Sequence, residues 1–328
     1  MGVLKLDPFP GFSKSFEKNK WADFVEFLCL ESTDKEISLN DITSMYSREG
    51  VLDDSNGDED QGEKDDKNRA QFIEIFRYIF SRMEFIGDFY PFVKVDEDTI
   101  KMVDVINEKY ILYFFLLFSS NTGYITDPHI PPFLHQSFER ISIDIMKIMY
   151  PNFRNELFGT STKRGECFYG GSVLSKLRKL GKFLGTPLTD RAKKNPRYKG
   201  PSGDAGLDVI SFLQIDKPLC TAPMLPVCIG QCTTSYGNWH NKQLSIKNSS
   251  LCSLFQELAV YHELLFISFP LRGINGNWSF EEANKIQTIV IDRIRFLNIL
   301  SNAEKSTVLN DEISNCIKEL LGNYNVVF

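Results

Sequence analysis

Apolar residues recur at spacings of three and four through Trp21–Leu30. They do so again through Asn68–Phe85, where Phe72, Ile75, Phe76, Ile79 and Phe80 share one face. Both stretches predict amphipathic helices with one side in a core. Between them, Ser38 and Asn40 are candidate N-caps for another helix. Val103–Phe118 predicts a further helix, apolar nearly all round toward its end and therefore buried. The pattern breaks over Gly123–Pro132, a stretch rich in turn residues that marks a domain boundary. Residues 1–132 thus read as a helical accessory domain.

Beyond the boundary the periods mix. Phe138–Met149 predicts a helix with Ile141, Ile145, Ile148 and Met149 on one side, ended by Tyr150-Pro151. Ser172–Leu184 predicts another, capped by Ser172 and stopped by Gly185. Leu207–Leu213 and Pro226–Cys232 are short apolar runs that read as strands, joined by an irregular loop. Ser253–Phe269 predicts a helix followed by a strand, Ser279–Leu300 an amphipathic helix capped by Ser279, and Asn310–Leu321 a closing helix. The expected class is α+β or α/β: a helical N-terminal domain, then a mixed central sheet flanked by helices over 133–328.

At 328 residues the chain suits two domains of roughly 100–200 residues each. Its net charge of -6 does not suggest a nucleic-acid binder, but the charge is unevenly placed. Residues 53–66 carry eight acids against one lysine, which predicts a solvated acidic linker near 51–68. Residues 161–200 carry eleven basic side chains against two acids, Glu166 and Asp190. A local positive patch on an acidic protein is the footprint of a polyanion. Lys176, Arg178, Lys179, Lys182, Arg191, Lys193, Lys194, Arg197 and Lys199 are therefore the candidate nucleic-acid-binding residues.

Seven scattered cysteines fit a reduced compartment better than a disulfide framework. The longest apolar run, Ile111–Phe118, falls far short of the ~20 residues a membrane span requires. A cytoplasmic protein without a membrane partner is the expectation.

The candidate chemistry lies in Gly203–Lys242. Asp208 leads into the first apolar strand and Gln231 closes the second. Neighbouring strands that set a carboxylate beside an amide oxygen offer hard ligands to Mg²⁺ or Mn²⁺, which often takes only one or two carboxylates and fills the rest with water. Asp204 is a further candidate ligand, directly or one step removed. A lysine beside such an ion can orient the attacking water. Cys220, Cys228, Cys232 and His240 lack zinc-ligand spacing, and Gly170-Gly171-Ser172 lacks the phosphate-loop pattern of a nucleoside triphosphatase.

Gly203-Asp204-Ala205-Gly206-Leu207-Asp208 followed by Gly230-Gln231-Cys232-Thr233 resembles the PD-(D/E)XK restriction-endonuclease-like superfamily, in the Mrr-type variant that carries G-D-G-G-I-D and Q-x-K. The resemblance spans about Phe133–Phe269. It implies a sheet and helices in the order αβββαβ and metal-dependent hydrolysis of DNA phosphodiesters, in a setting such as bacterial restriction or anti-phage defence. The partners it implies are DNA, an ATPase, helicase or other defence-system subunit, and a second copy of the chain in a homo-oligomer. Two positions depart from the family pattern. The motif lysine is replaced by Thr233, which leaves Lys242 as a candidate to reach back. The acid of the first core helix is Glu139 or Glu166, with Glu139 preferred. The missing lysine also motivates an alternative: a catalytically inactive nuclease-fold subunit that binds nucleic acid or a partner protein.

Overall fold

The computed structural model describes residues 4–6, 18–48, 61–159, 161–200, 205–215, 223–237, 239–246, 253–278, 283–301, 309–324, 326 and 328. The fold is mixed α+β and divides into two compact units. Unit 1 is Met1–Pro128 with Pro270–Phe280 and Asp311–Phe328; unit 2 is His129–Phe269 with Glu281–Asn310.

In unit 1, helix α1 (Lys18–Glu31) is followed by strand β1 (Glu36–Ser38), α2 (Leu39–Arg48) and the long α3 (Gln61–Ile86). Strands β2 (Phe92–Lys94) and β3 (Thr99–Met102) then precede α4 (Glu108–Ser120). Ser38 caps α2 reciprocally with Asp41: Asp41 N–H donates to Ser38 Oγ at 3.1 Å, and Ser38 N–H donates to Asp41 Oδ2 at 2.9 Å. Asn107 caps α4 by accepting from the Tyr110 N–H at 3.1 Å. The expected linker over 61–68 is helix instead, the opening of α3; residues 51–60 lie outside the described residues. A small antiparallel sheet in the order β1-β3-β2 also departs from the all-helical expectation, its strands being too short to show a period. The closing helix Asp311–Gly322 and segment 270–280 cluster with unit 1, so residues 133–328 do not form one continuous unit.

The core of unit 1 is aromatic, with Trp21 set edge-on to Phe72 at 5.3 Å between centroids. It also buries a charge network. Arg82 lies 2.7 Å from Asp23 and 2.5 Å from Glu26, all three sealed from solvent. Tyr90 and Tyr113 hydroxyls each donate to Glu26 at 2.7 Å. These bonds offset the cost of removing the charges from water.

Unit 2 opens with α5 (Ile130–Met149), whose first turn holds Pro131 and Pro132, where no N–H is needed. Strand β4 (Arg154–Leu157) follows, then α6 (Val173–Phe183), α7 (Asp190–Lys194), β5 (Val209–Phe212) and β6 (Pro226–Thr233). Helix α8 (Trp239–Ile246) leads to β7 (Ala259–Ile267), β8 (Ile289–Ile291) and α9 (Arg293–Ser301). The strands lie in the order β4-β5-β6-β7-β8, with β4, β5 and β6 antiparallel in turn and β6, β7 and β8 parallel. Helix, three antiparallel strands, helix and parallel strand is the αβββαβ order, with α6 and α7 inserted between its first two strands.

Adjacent strand residues show which helix covers which face. Ser211 meets Met146 of α5 at 3.7 Å, while Phe212 stacks on Phe183 of α6 at 5.9 Å. Two local expectations change here. Residues 253–258 are turn-like and only 259–267 form a strand, with no helix before it. Within Ser279–Leu300, the β-branched run Ile289-Val290-Ile291 pairs with β7, and the helix begins only at Arg293, where the Arg295 N–H donates to Asp292 Oδ1 at 3.1 Å. Residues 279–282, with the proposed Ser279 cap, lie outside the described residues. No helix among the described residues is long and apolar enough to cross a membrane.

Candidate active site

Asp208 sits just before β5, clamped by both neighbouring strands. Its N–H donates to Gly230 O at 3.0 Å, and its carbonyl accepts from Phe158 N–H at 2.8 Å and Gly159 N–H at 3.3 Å. The chain reaches it through a tight reversal, with Ala205 at φ 58° and Gly206 at φ 81°. Glycine is required at 206 twice over: for that backbone angle, and because a Cβ there would meet Ser245 O at 2.9 Å. Ala205 holds the same left-handed region with a Cβ, a local strain of the kind found where surroundings over-determine the backbone.

The Asp208 side chain is buried. Its Oδ2 accepts from the Cys232 N–H at 2.7 Å, a short charge-assisted bond. Its Oδ1 faces Gly159, and Glu139 Oε2 faces the same glycine from α5. Each oxygen lies 3.0 Å from the point a Cβ on Gly159 would occupy, so the two are separated by no more than twice that distance. Two carboxylates brought together over a glycine form a cradle that any side chain at 159 would fill. The pair fits a divalent ion of the Mg²⁺ kind, which accepts one or two carboxylates and completes its shell with water. Among the described residues no group of three or more His, Cys, Asp and Glu side chains forms a metal site.

Of the two candidate helix acids, the structure brings Glu139 to Asp208. Glu166 is instead paired with Arg140 at 2.8 Å and accepts from the Lys163 N–H at 2.7 Å. Gln231 follows Gly230, the register partner of Val209 in the β5–β6 pair, and is buried. Its Oε1 is hydrogen-bonded to the Ser245 hydroxyl of α8. Asp204 lies outside the described residues. Thr233 ends β6 and is buried, and its hydroxyl accepts from the Ser235 N–H at 3.3 Å. Lys242 is half-buried on α8, one turn before Ser245.

Burial first, and then the negative charges of Asp208 and Glu139, hold the Cys232 thiol well above the ordinary cysteine range. A Ser142 hydrogen bond and the positive charge of Lys242 act in the opposite sense. Cys232 is thus a proton-bearing wall of the site and not a thiolate nucleophile. Cys228 and His262 belong to a separate cluster, in which Tyr150 Oη lies 2.7 Å and Cys228 Sγ 4.0 Å from His262 Nδ1.

The basic residues divide. Arg178, Lys179, Lys182, Arg191, Lys193, Lys194, Arg197 and Lys199 are exposed. Arg178, Lys182 and Lys193 line a cleft of about 400 Å³ floored by Gly181, Thr186 and Leu188, beside a second of about 500 Å³ against Phe183. Lys176 departs from the expected surface role. It is buried, and its Nζ donates to the carbonyls of Phe158 and Gly159, both at 3.2 Å. The sequence held a signal for this: Lys176 lies three residues after Val173 and four before Leu180, on the apolar stripe of the helix. Gly159 itself carries no motif, and only its contacts reveal its part.

The chain matches no family model, and comparison with curated proteins and with solved structures likewise gives no match.

Proposed function

We propose that unit 2 is a metal-dependent nuclease that hydrolyses phosphodiester bonds in nucleic acid, with DNA as the substrate the motif resemblance favours. The observation that carries this reading is the convergence of Asp208 and Glu139 over Gly159, on a sheet whose inserted helix α6 also presents a basic surface. Asp208 and Glu139 would hold Mg²⁺ or Mn²⁺, with Gln231 of the adjoining strand as the further ligand that the motif resemblance implies. A bound divalent ion supplies charge stabilisation at the scissile phosphate and a more acidic water.

The chain's own groups do the rest. The Cys232 N–H fixes the Asp208 carboxylate, leaving its second oxygen directed at the cradle. The buried Cys232 thiol and the packed strands exclude bulk water from one side of the site. The exposed cations of α6 and α7 hold a phosphate backbone without reading its bases. Because each phosphate neutralised releases counterions, binding should weaken steeply with salt, with a log–log slope of about 0.9 per contact on duplex DNA.

The deciding experiment compares wild type with Asp208→Ala and Glu139→Gln on duplex DNA, single-stranded DNA and RNA, with Mg²⁺ or Mn²⁺ and with EDTA. Metal-dependent cleavage by wild type and its loss in both variants is the expected result. Equal cleavage by all three proteins removes the assigned site. If no protein cleaves while all bind nucleic acid with steep salt dependence, the chain is the inactive nucleic-acid-binding subunit that Thr233 in the lysine position would suggest.

A further inference from the structure

We propose that Lys176, and neither Lys242 nor the position held by Thr233, supplies the ammonium of this site, as the residue that balances charge at the carboxylates and positions the peptide against which they rest. The assignment rests on the nuclease reading above and deepens it.

Lys176 is the only buried lysine among the described residues. Taking an ammonium out of water costs several kcal/mol unless other groups compensate. Its Nζ donates to two neutral carbonyls, Phe158 O and Gly159 O, at 3.2 Å each. Those bonds are of ordinary length for an ammonium donor and do not cancel its charge. Negative charge stands at the same glycine, where Asp208 Oδ1 and Glu139 Oε2 each lie 3.0 Å from the Cβ position. Gly159 is therefore contacted at its carbonyl by the ammonium and near its α-carbon by the carboxylates.

The local charges also close. Two carboxylates, one ammonium, one divalent cation and one phosphodiester monoanion sum to neutrality. Without the lysine the same assembly keeps a net negative charge, which opposes entry of the anionic substrate. The competing positions are differently occupied. Thr233 is buried in the strand with its hydroxyl closing a turn to Ser235. Lys242 is half-buried, and its charge is felt at the Cys232 thiol. Helix α6 thus has two duties one turn apart: Lys176 turned into the site, and Arg178, Lys179 and Lys182 turned out to solvent.

The test uses the full-length chain and four proteins: wild type, Lys176→Gln, Lys176→Arg and Lys242→Met. Glutamine keeps a donor for the two carbonyls and removes the charge, so it separates a hydrogen-bonding role from an electrostatic one. Melting curves establish that each variant is folded. Should Lys176→Gln fail to fold, Lys176→Arg against wild type carries the comparison through its cleavage rate alone. Mn²⁺ affinity by titration calorimetry is the readout that does not depend on activity. With the repelling charge gone, Lys176→Gln should bind Mn²⁺ roughly ten-fold tighter, while Lys176→Arg and Lys242→Met match wild type. Cleavage should fall by roughly 100-fold or more in Lys176→Gln, stay within a few-fold of wild type in Lys242→Met, and recover at least in part in Lys176→Arg.

The proposal is overturned if Lys176→Gln binds Mn²⁺ and cleaves as wild type does, if the losses follow Lys242→Met instead, or if a folded Lys176→Arg is as inactive as glutamine. If wild type binds Mn²⁺ but cleaves nothing, the nuclease reading fails, yet tighter Mn²⁺ binding by Lys176→Gln still supports the charge assignment. If wild type binds no Mn²⁺, both fall.

Discussion

Gly159→Ala adds a single methyl group at the point where the two carboxylates meet. The new Cβ would lie 3.0 Å from Asp208 Oδ1, 3.0 Å from Glu139 Oε2 and 3.4 Å from Asp208 Cα. Contacts to the oxygens are tighter than van der Waals packing allows, so something must shift by a few tenths of an ångström. Asp208 is poorly placed to yield, because its backbone is bonded to Gly230 and Phe158 and its Oδ2 to Cys232 N–H at 2.7 Å. Overpacking of this kind costs about 1–3 kcal/mol. For a unit of this size each kcal/mol lowers Tm by about 2–4 °C. Displacing the carboxylates should weaken Mn²⁺ binding by about 10–100-fold, the usual effect of disturbing groups that orient metal ligands. Calorimetric melting and Mn²⁺ titration measure both, with Gly123→Ala as control, since a Cβ there meets nothing within 4 Å. A Gly159→Ala protein that melts and binds Mn²⁺ like wild type would refute the convergence of the carboxylates. One that melts lower but binds Mn²⁺ unchanged would keep the packing and dismiss the metal centre.

Three further outcomes are expected. In unit 1, Arg82→Met leaves Asp23 and Glu26 buried without their cation and should cost about 3–5 kcal/mol in urea titrations, whereas Arg77→Ala, which breaks an exposed 2.8 Å pair with Glu74, should cost under about 1 kcal/mol; equal losses would dismiss the network as a source of stability. Burial raises the Cys228 thiol from its ordinary 9.0 to about 11. The folded state then keeps a proton that the unfolded chain has lost, so this contribution is whole below pH 9 and disappears between pH 9 and 11. Cys228→Ala should flatten that decline in unit 2, and an unchanged slope would count against it. Reversing charge with Arg178→Glu or Lys182→Glu should weaken DNA binding alike for all sequences and lower the salt slope by about 0.9 per lost contact, as read by fluorescence anisotropy across a salt series; a sequence-selective loss would point to base readout instead.

Long periodic stretches of the chain announce themselves in the sequence. Helices α1, α3, α4 and α6 and strands β5 and β6 follow from local pattern, because a buried face repeats over several turns or fills a whole short run. Strands of unit 1 do not, since three or four residues are too few for a period. Ile289–Ile291 reads as part of a helix because apolar residues at 290, 294 and 297 recur at helical spacing, and only pairing with β7 makes the run a strand. Asp208 and Gln231 are legible as polar ends of apolar strands. Glu139 is legible only as one of two acids, separated by the Arg140–Glu166 ion pair that no local pattern foretells. Gly159 and Lys176 are brought to the site by contacts at one end of the β4–β5 pair, and such proximity is a property of topology.

The excursion of α6 and α7 out of the sheet has a consequence for how the molecule comes to exist. Strands β4 and β5 are immediate partners, yet the chain leaves after Leu157 and returns only at Val209. Closing so long a loop carries an entropic cost that local helices do not share. Glu139 on α5, Gly159 after β4, Asp208 before β5 and Cys232 on β6 come from four separate parts of the chain and meet only when β5 has docked between β4 and β6. The mutual repulsion of the two carboxylates therefore falls on that docking step. A centre assembled this way is complete only when β5 and β6 are paired, well after the basic segment 161–200 is in the chain.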